Sequence, residues 1–375
     1  MKVPLLDLQA QYQTIKKDID KALMDVVASQ YFILSGEVKE FEEEVAKYVG
    51  GCSAAGVASG TDALILALKG CGVGKGDLVI TTPFTFFATA ESISVLGAKP
   101  IFVDIDPGTY NIDPLKIEEY IESASDDEKK NIKAIVPVHL YGQCADMGKI
   151  MTIAKKYDLK VVEDSAQAIG ATFMGRQSGS FGSAGAFSFF PSKNLGGFGD
   201  GGMVVSSEPS LIEEIKKLRV HGSRKQYVHE EIGYNSRLDS LQAAILRVKL
   251  KNLDKWIEQR AMNAEKYNEA FAELPIVIPK VAEGNNHTYH QYTIAVDERD
   301  ELLRHLNDKD IAARVYYPVP LHLQPCYKDL GYSTGSFPIS EEKTERVLSL
   351  PVYPELTDKK TDYVIQTIKD FFGRK

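Results

Sequence analysis

Disulfide frameworks and zinc sites need clustered cysteines, and this chain of 375 residues has four, Cys52, Cys71, Cys144 and Cys326, scattered without paired spacing. That usage fits a reducing compartment and predicts no metal site. No apolar run is long enough to cross a bilayer, and the opening Met1-Lys2-Val3-Pro4-Leu5-Leu6-Asp7 has a proline and an aspartate where a secretion signal has its apolar core. The expectation is a cytoplasmic protein with no membrane partner. Positive charge is also in deficit: 44 Lys and Arg against 52 Asp and Glu leave a net charge of -8, which repels a nucleic-acid backbone. A small-molecule partner is favoured. Apolar residues, by contrast, make up 44% of the chain, enough for a large packed core and too much for disorder. The length predicts two domains, or one large α/β domain with a smaller appendage.

Two patterns alternate along the chain. Short β-branched runs at Leu78–Thr82, Pro100–Val103, Ala134–Leu140, Lys160–Glu163, Ala186–Phe190 and Met203–Ser206 read as strands. Helical spacing lies between several of them, at Asp62–Lys69, Phe87–Leu96, Pro114–Ser123 and Met147–Tyr157. Nearly continuous apolar strands alternating with helices predict a mostly parallel sheet with helices on both faces. A single long helix is predicted from Leu238 to Leu274, ending before Pro275. It divides a large domain, 1–245, from a smaller α+β domain, 246–375, onto which the N-terminal segment is expected to pack. The smaller domain would hold Tyr292–Val296, a helix at Asp300–Asn307, the segment Ala312–Val319 and a helix at Thr361–Phe371. The charged run Ser125–Lys130 reads as a solvated loop.

Chemistry concentrates in four places. Ser188-Phe189-Phe190-Pro191-Ser192-Lys193 runs into the glycine-rich turn Asn194–Gly202, where missing side chains let a flat ligand approach the backbone. A lone lysine in a loop is usually a surface residue, but Phe187, Phe189 and Phe190 just upstream favour an amine whose pKa is lowered by apolar surroundings. Glu163-Asp164 puts two carboxylates at a strand end, where open α/β sheets bind ligands; a turn or cap role is equally open for Asp164 alone. Ser59-Gly60-Thr61-Asp62 joins a strand end to a helix start, suited to a phosphate or to ordinary capping. The aromatics of Thr82–Thr89 are core by default, with one face free to stack on a ring. An activated lysine, a strand-end carboxylate, a phosphate-ready helix start and a stacking ring together are what pyridoxal phosphate requires.

With these motifs, and with Phe32-Ile33-Leu34-Ser35-Gly36, Asn235–Leu246 and Tyr316–Pro325, the chain resembles the DegT/DnrJ/EryC1/StrS sugar aminotransferases over nearly its whole length. The resemblance implies the fold of type I pyridoxal-phosphate transferases: a seven-stranded, mostly parallel mixed sheet between helices, with a small C-terminal domain. It implies that Lys193 forms the internal aldimine and shuttles the proton, that Asp164 pairs with the pyridinium nitrogen, and that Gln167 supports the phenolic oxygen. Phe86 would stack on the ring, and Gly60, Thr61 and Ser188 would hold the phosphate. Asn235 would reach the neighbouring subunit's phosphate, making a homodimer with composite sites. Members with histidine in place of the lysine are dehydratases; Lys193 implies transamination. By resemblance the donor is L-glutamate, the acceptor a UDP- or dTDP-linked keto sugar nucleotide, the kinetics ping-pong, and the product an amino sugar for polysaccharide or glycan biosynthesis.

Acceptor residues are read from two segments. Arg219, His221, Arg224, Lys225 and Arg237 form a basic stretch able to clamp a diphosphate, or else a solvated helix end. Tyr317 and His322 lie in Tyr316–Pro325, where prolines and aromatics suit a sugar pocket, though His322 could equally be structural. Tyr141–Asp146 with Asn235–Asp239 looks most like members acting on 3-keto rather than 4-keto sugars. A dinucleotide-dependent dehydrogenase is rejected, because Gly72-Val73-Gly74-Lys75-Gly76-Asp77 follows a helix and ends in Asp77 where the third glycine of that fingerprint should stand. A non-catalytic, cofactor-bound regulator is the reading from another class.

Overall fold

The computed structural model describes residues 1–51 and 53–373, so Cys52 lies outside the described residues. Seven strands build the main sheet: β1 (Ser53–Val57), β2 (Leu78–Thr81), β3 (Lys99–Phe102), β4 (Ile132–Ile135), β5 (Lys160–Asp164), β6 (Ala184–Ser188) and β7 (Gly202–Ser206). Their order is β1-β7-β6-β5-β4-β2-β3, and only β7 runs against its neighbours. Helices cover both faces, so the strands are buried on both sides, as the unbroken apolar runs predict. One core lies under the helices Gly60–Gly70 and Pro209–Leu218. Another packs Phe187, Phe189, Met203 and Val205 against the helix Gly36–Tyr48 through Val38, Phe41 and Val45.

Three elements differ from the sequence expectation. The helix predicted over 238–274 is two, Ser240–Leu250 and Leu253–Phe271, with the break at Lys251-Asn252. The second helix changes cores along its length: Leu253 and Ile257 pack with the large sheet, Ala264, Tyr267 and Phe271 with the smaller domain's core. The run Ser125–Lys130 is not a loop; Asp126–Asn131 is a short helix closed by a reciprocal Ser125–Glu128 capping box. The strand expected over 134–140 ends at Ile135, beyond which the chain keeps isolated bonds: Val136 to Ile80 and Thr81, and Pro137 and His139 to Asp164.

Tyr292–Ala295 and Val347–Leu350 form an antiparallel pair in the smaller domain, flanked by the helices Arg299–Asp308 and Asp358–Phe372. Val3, wholly buried, bridges to Ile311, and Val3 and Leu6 pack into the same core as Val364 and Ile368. The following helix, Leu8–Ser29, lays Ile15 and Ile19 on Ile245 and Trp256. No helix among the described residues is long and apolar enough to cross a membrane.

Candidate active site

Strand register assembles the site. Gly202 of β7 lies opposite Val57 of β1 on one side and Ser188 of β6 on the other. The turn leaving β1 is thereby pressed against the end of β6. A Cβ on Gly202 would stand 2.2 Å from the Ser59 carbonyl oxygen, and one on Gly60 would stand 2.5 Å from Ser188 Cβ. Glycine is required at both positions by contact. Ser59 caps the helix Gly60–Gly70 by accepting the Asp62 N–H at 3.1 Å, while the amides of Gly60 and Thr61, in the first turn, have no helical acceptor. Together with the Ser188 hydroxyl they form a cradle for an anion at the positive end of the helix.

Adjacent strand residues face opposite sides of a sheet, so Glu163 and Asp164 of β5 do not act as a pair. Glu163 is fully buried among four donors: the amides of Gly179, Phe181 and Gly182 at 2.6–2.8 Å and His139 Nε2 at 2.9 Å. The Ala145 amide donates to His139 Nδ1, which leaves the ring proton on Nε2 to bond Glu163. That carboxylate is structural. Asp164 faces the other way, into a cavity of about 570 Å³ outside the C-terminal strand ends. It accepts Thr89 Oγ1–H at 2.7 Å and the Ala166 amide at 3.2 Å, and Thr89 in turn contacts Thr85 Oγ1 at 3.0 Å. Burial raises the Asp164 pKa, partly offset by Thr89, the Ala166 amide and Lys193.

Lys193 lines the same cavity, and burial pushes its amine down to about 8 against the opposing pull of Asp164. The apolar surroundings were expected from Phe187, Phe189 and Phe190, and here the structure corrects the sequence reading. Phe187 and Phe189 sit on the opposite face of the sheet, where Phe189 packs edge-on to Phe41 at 5.3 Å; Phe190 alone of the three borders the cavity. Gln167 is oriented by the chain: its Oε1 accepts the Tyr141 amide at 2.8 Å, so its Nε2 must face Tyr317 Oη, 3.0 Å away. Because Tyr317 Oη accepts there, its own proton is free to point into the cavity. Phe86, 58% exposed, stands with its ring centroid 6.2 Å from that of Tyr317, leaving a face for a planar ring.

Gly60, Thr61, Phe86, Asp164, Gln167, Ser188, Lys193 and Tyr317 therefore share one cavity, and Asn235, His221, Arg237 and His322 do not line it. Asn235 and His221 are exposed on a loop that begins and ends in the Val220–Asn235 bridge. Of the proposed basic clamp, Arg219 is buried on Glu42 and the Gly56 carbonyl, and Arg224 is paired with Glu214 and Glu230. Arg237 is half-buried with Nε unpartnered, and Lys225 is exposed. His322 is buried on Glu341 at 3.0 Å beside Phe337, a structural placement. Thr89, His290 and Asp200 were not anticipated: Thr89 bonds Asp164, and the other two line the cavity. The Thr85/Thr89 spacing of four residues was a visible signal, hidden by the aromatics between them. A larger cleft of about 920 Å³, between the helices Pro114–Ser123 and Met147–Lys156, contains none of the expected residues, and its Lys149 and Lys156 are paired with Asp146 and Glu118.

A planar pyridine phosphate fits these residues: an anion cradle at Gly60, a buried carboxylate for a ring nitrogen, an amide with a spare N–H at Gln167 and a neutralisable amine. Comparison with known proteins agrees. The family model described as the DegT/DnrJ/EryC1/StrS aminotransferase family matches residues 13–369. A protein of Geobacillus stearothermophilus named "Pleiotropic regulatory protein" is 50% identical, covering 99% of both chains. UDP-N-acetyl-3-dehydro-alpha-D-glucosamine 3-aminotransferase of Acidithiobacillus ferrooxidans is 42% identical over 98% of this chain and 97% of its own. The crystal structure of S. venezuelae DesV in complex with a ketimine intermediate superposes with a TM-score of 0.95 at 41% identity, over 100% of this chain and 99% of that one.

Proposed function

Because the chain belongs to the DegT/DnrJ/EryC1/StrS family and is therefore a pyridoxal-phosphate-dependent aminotransferase, we propose that it moves the amino group of L-glutamate to a 3-keto sugar nucleotide, UDP- or dTDP-linked. The observation that carries this is the convergence of Lys193, Asp164 and the Gly60 cradle on one cavity. The 3-dehydro sugar nucleotide in the name of the Acidithiobacillus relative supports the ring position.

When bound, the cofactor supplies an electron sink and a temporary carrier for the amine. This chain's residues supply the rest. The amides of Gly60 and Thr61 and the Ser188 hydroxyl hold the phosphate. Asp164, costly to ionise in isolation, becomes a stable carboxylate once a protonated ring nitrogen faces it, and Thr89 fixes its orientation. Gln167, locked by Tyr141, offers one N–H to the phenolic oxygen. Lys193, with its amine lowered to about 8, anchors the ring and then takes and returns the proton at the substrate carbon. Asn235 and His221 are exposed on a loop that also exposes Tyr227 and Ile232, which supports the reading that in a homodimer they complete a second subunit's site.

The test is a panel of 3-keto and 4-keto nucleotide sugars with L-glutamate, following 2-oxoglutarate and the mass of the amino sugar. Parallel double-reciprocal lines and turnover on 3-keto compounds are expected; turnover confined to 4-keto compounds replaces the acceptor assignment. The second reading, a cofactor-bound regulator, is favoured by the name of the Geobacillus relative. It predicts a yellow protein whose colour no amino donor changes.

A further inference from the structure

The lysine that carries the chemistry sits at the head of a turn, and a second lysine grips that turn from behind. Lys249 is only 2% exposed, yet it forms no ion pair among the described residues. Its Nζ donates to the Gly196 carbonyl at 2.6 Å and stands 4.8 Å from the centre of the Phe198 ring. A buried cation without a carboxylate is costly, and a packed methionine would cover the same apolar surface. Its two partners are both in the Asn194–Gly201 turn, three and five residues beyond Lys193. Seven residues earlier on the same face of the helix Ser240–Leu250, Gln242 accepts the Phe198 amide at 2.8 Å and fills the space over Gly197 and Gly199. Other anchors of the turn include the Gly197 amide on the Phe189 carbonyl at 2.7 Å, the Phe189 amide on the Gly201 carbonyl at 2.8 Å, and Asn194, which bonds the Thr288 carbonyl at 3.1 Å and His290 Nδ1 at 3.2 Å. Burial drives the Lys249 ammonium down to about 8 against the opposing pull of Glu355, which lies beyond ion-pair distance, so the direct contact of the amine is the Gly196 carbonyl.

We propose that Lys249 is a positioning residue for the reaction: from the helix Ser240–Leu250 it holds the Gly196 carbonyl and so fixes the turn that sets the reach of Lys193. The assignment rests on Lys193 being the anchoring amine of the proposed function. Lys249 touches no reacting atom. Gln242 bears on the turn's far half, and Lys249 on the carbonyl nearer Lys193.

The test compares Lys249→Met and Lys249→Arg with the parent holoenzyme. In Lys249→Met, loss of one anchor lowers the rate of bleaching by L-glutamate roughly ten- to a hundredfold, with the KM for glutamate within about threefold of the parent. Amide exchange at Gly197 and Phe198, measured by mass spectrometry on the cofactor-free protein, speeds up at least about tenfold while the sheet is unaffected. Lys249→Arg, keeping a cationic donor, restores both. A parental bleaching rate with unaltered exchange in Lys249→Met overturns the proposal, as does a rate loss fully repaired by added pyridoxal phosphate. Should Lys249→Met not fold, Lys249→Leu, which likewise lacks a donor, is judged by the same criteria. A parent protein inert to every amino donor would sink the proposed function instead, and exchange at Gly197 would still decide the role of Lys249.

Discussion

Asp164 shows how much one side chain depends on its neighbours. Burial raises the pKa of its carboxyl, and the Thr89 hydroxyl and Ala166 amide oppose that rise by bonding the charged form. Asp164→Asn keeps the shape and removes the charge, so kcat falls on the order of a hundredfold or more while cofactor content at saturation is kept; steady-state kinetics on reconstituted protein checks this. Thr89→Val removes one bond to a charged group, worth about 1.5–3 kcal/mol, and lowers kcat by roughly ten- to a hundredfold. Lys193 gives a pH test. With its amine near 8, arylation of Lys193 in the cofactor-free protein by trinitrobenzenesulfonate rises through about pH 8 and levels off, whereas ordinary lysines keep accelerating toward 10.5. A midpoint near 10.5 for Lys193, read by peptide mapping, contradicts the desolvated amine.

At the scale of elements, the crowded contact between the turn after β1 and the end of β6 makes its own demand. Gly202→Ala forces a methyl against the Ser59 carbonyl, a backbone atom unable to step aside, costing roughly 1–3 kcal/mol and loosening the cofactor. Thermal melts with and without pyridoxal phosphate should show a lower Tm and a smaller ligand-induced rise. Elements were legible where period and punctuation agreed: Pro114–Ser123 has a proline at its first turn, and the β5 run ends in a carboxylate. The break at Lys251-Asn252 was not, since neither glycine nor proline marks it and the apolar spacing continues across it. Asp126–Asn131 was hidden by its charge, although Ser125 and Glu128 spell its cap. The face of a strand residue is legible only when the core face is known, which is why Phe187 and Phe189 were placed beside Lys193 and Glu163 beside Asp164. His322 and Arg219 misled for another reason: a polar residue's partner, here Glu341 or Glu42, is distant in sequence.

For the molecule as a whole, Tyr31, Ile33, Phe198, Tyr227 and Ile232 are exposed apolar side chains that do not line the cavity. The proposed homodimer would cover them, and light scattering should then return twice the 41.5 kDa of one chain. If sites are shared, coexpressing inactive Lys193→Ala with inactive Asn235→Ala regenerates one intact site per mixed dimer and about a quarter of parental activity in a random mixture; mixtures that stay inactive place Asn235 outside a shared site. The smaller domain's core has a separate consequence. Val3 and Leu6 pack beside Val364 and Ile368, far from them in sequence, and Asp7 lies 3.7 Å from Lys360. During synthesis Val3 and Leu6 must wait, without these neighbours, until the helix Asp358–Phe372 leaves the ribosome, while the main sheet, complete by Ser206, can already consolidate. Nascent chains halted just before that helix should therefore be cut near Val3 and Leu6 by an added endoprotease and keep a protease-resistant sheet.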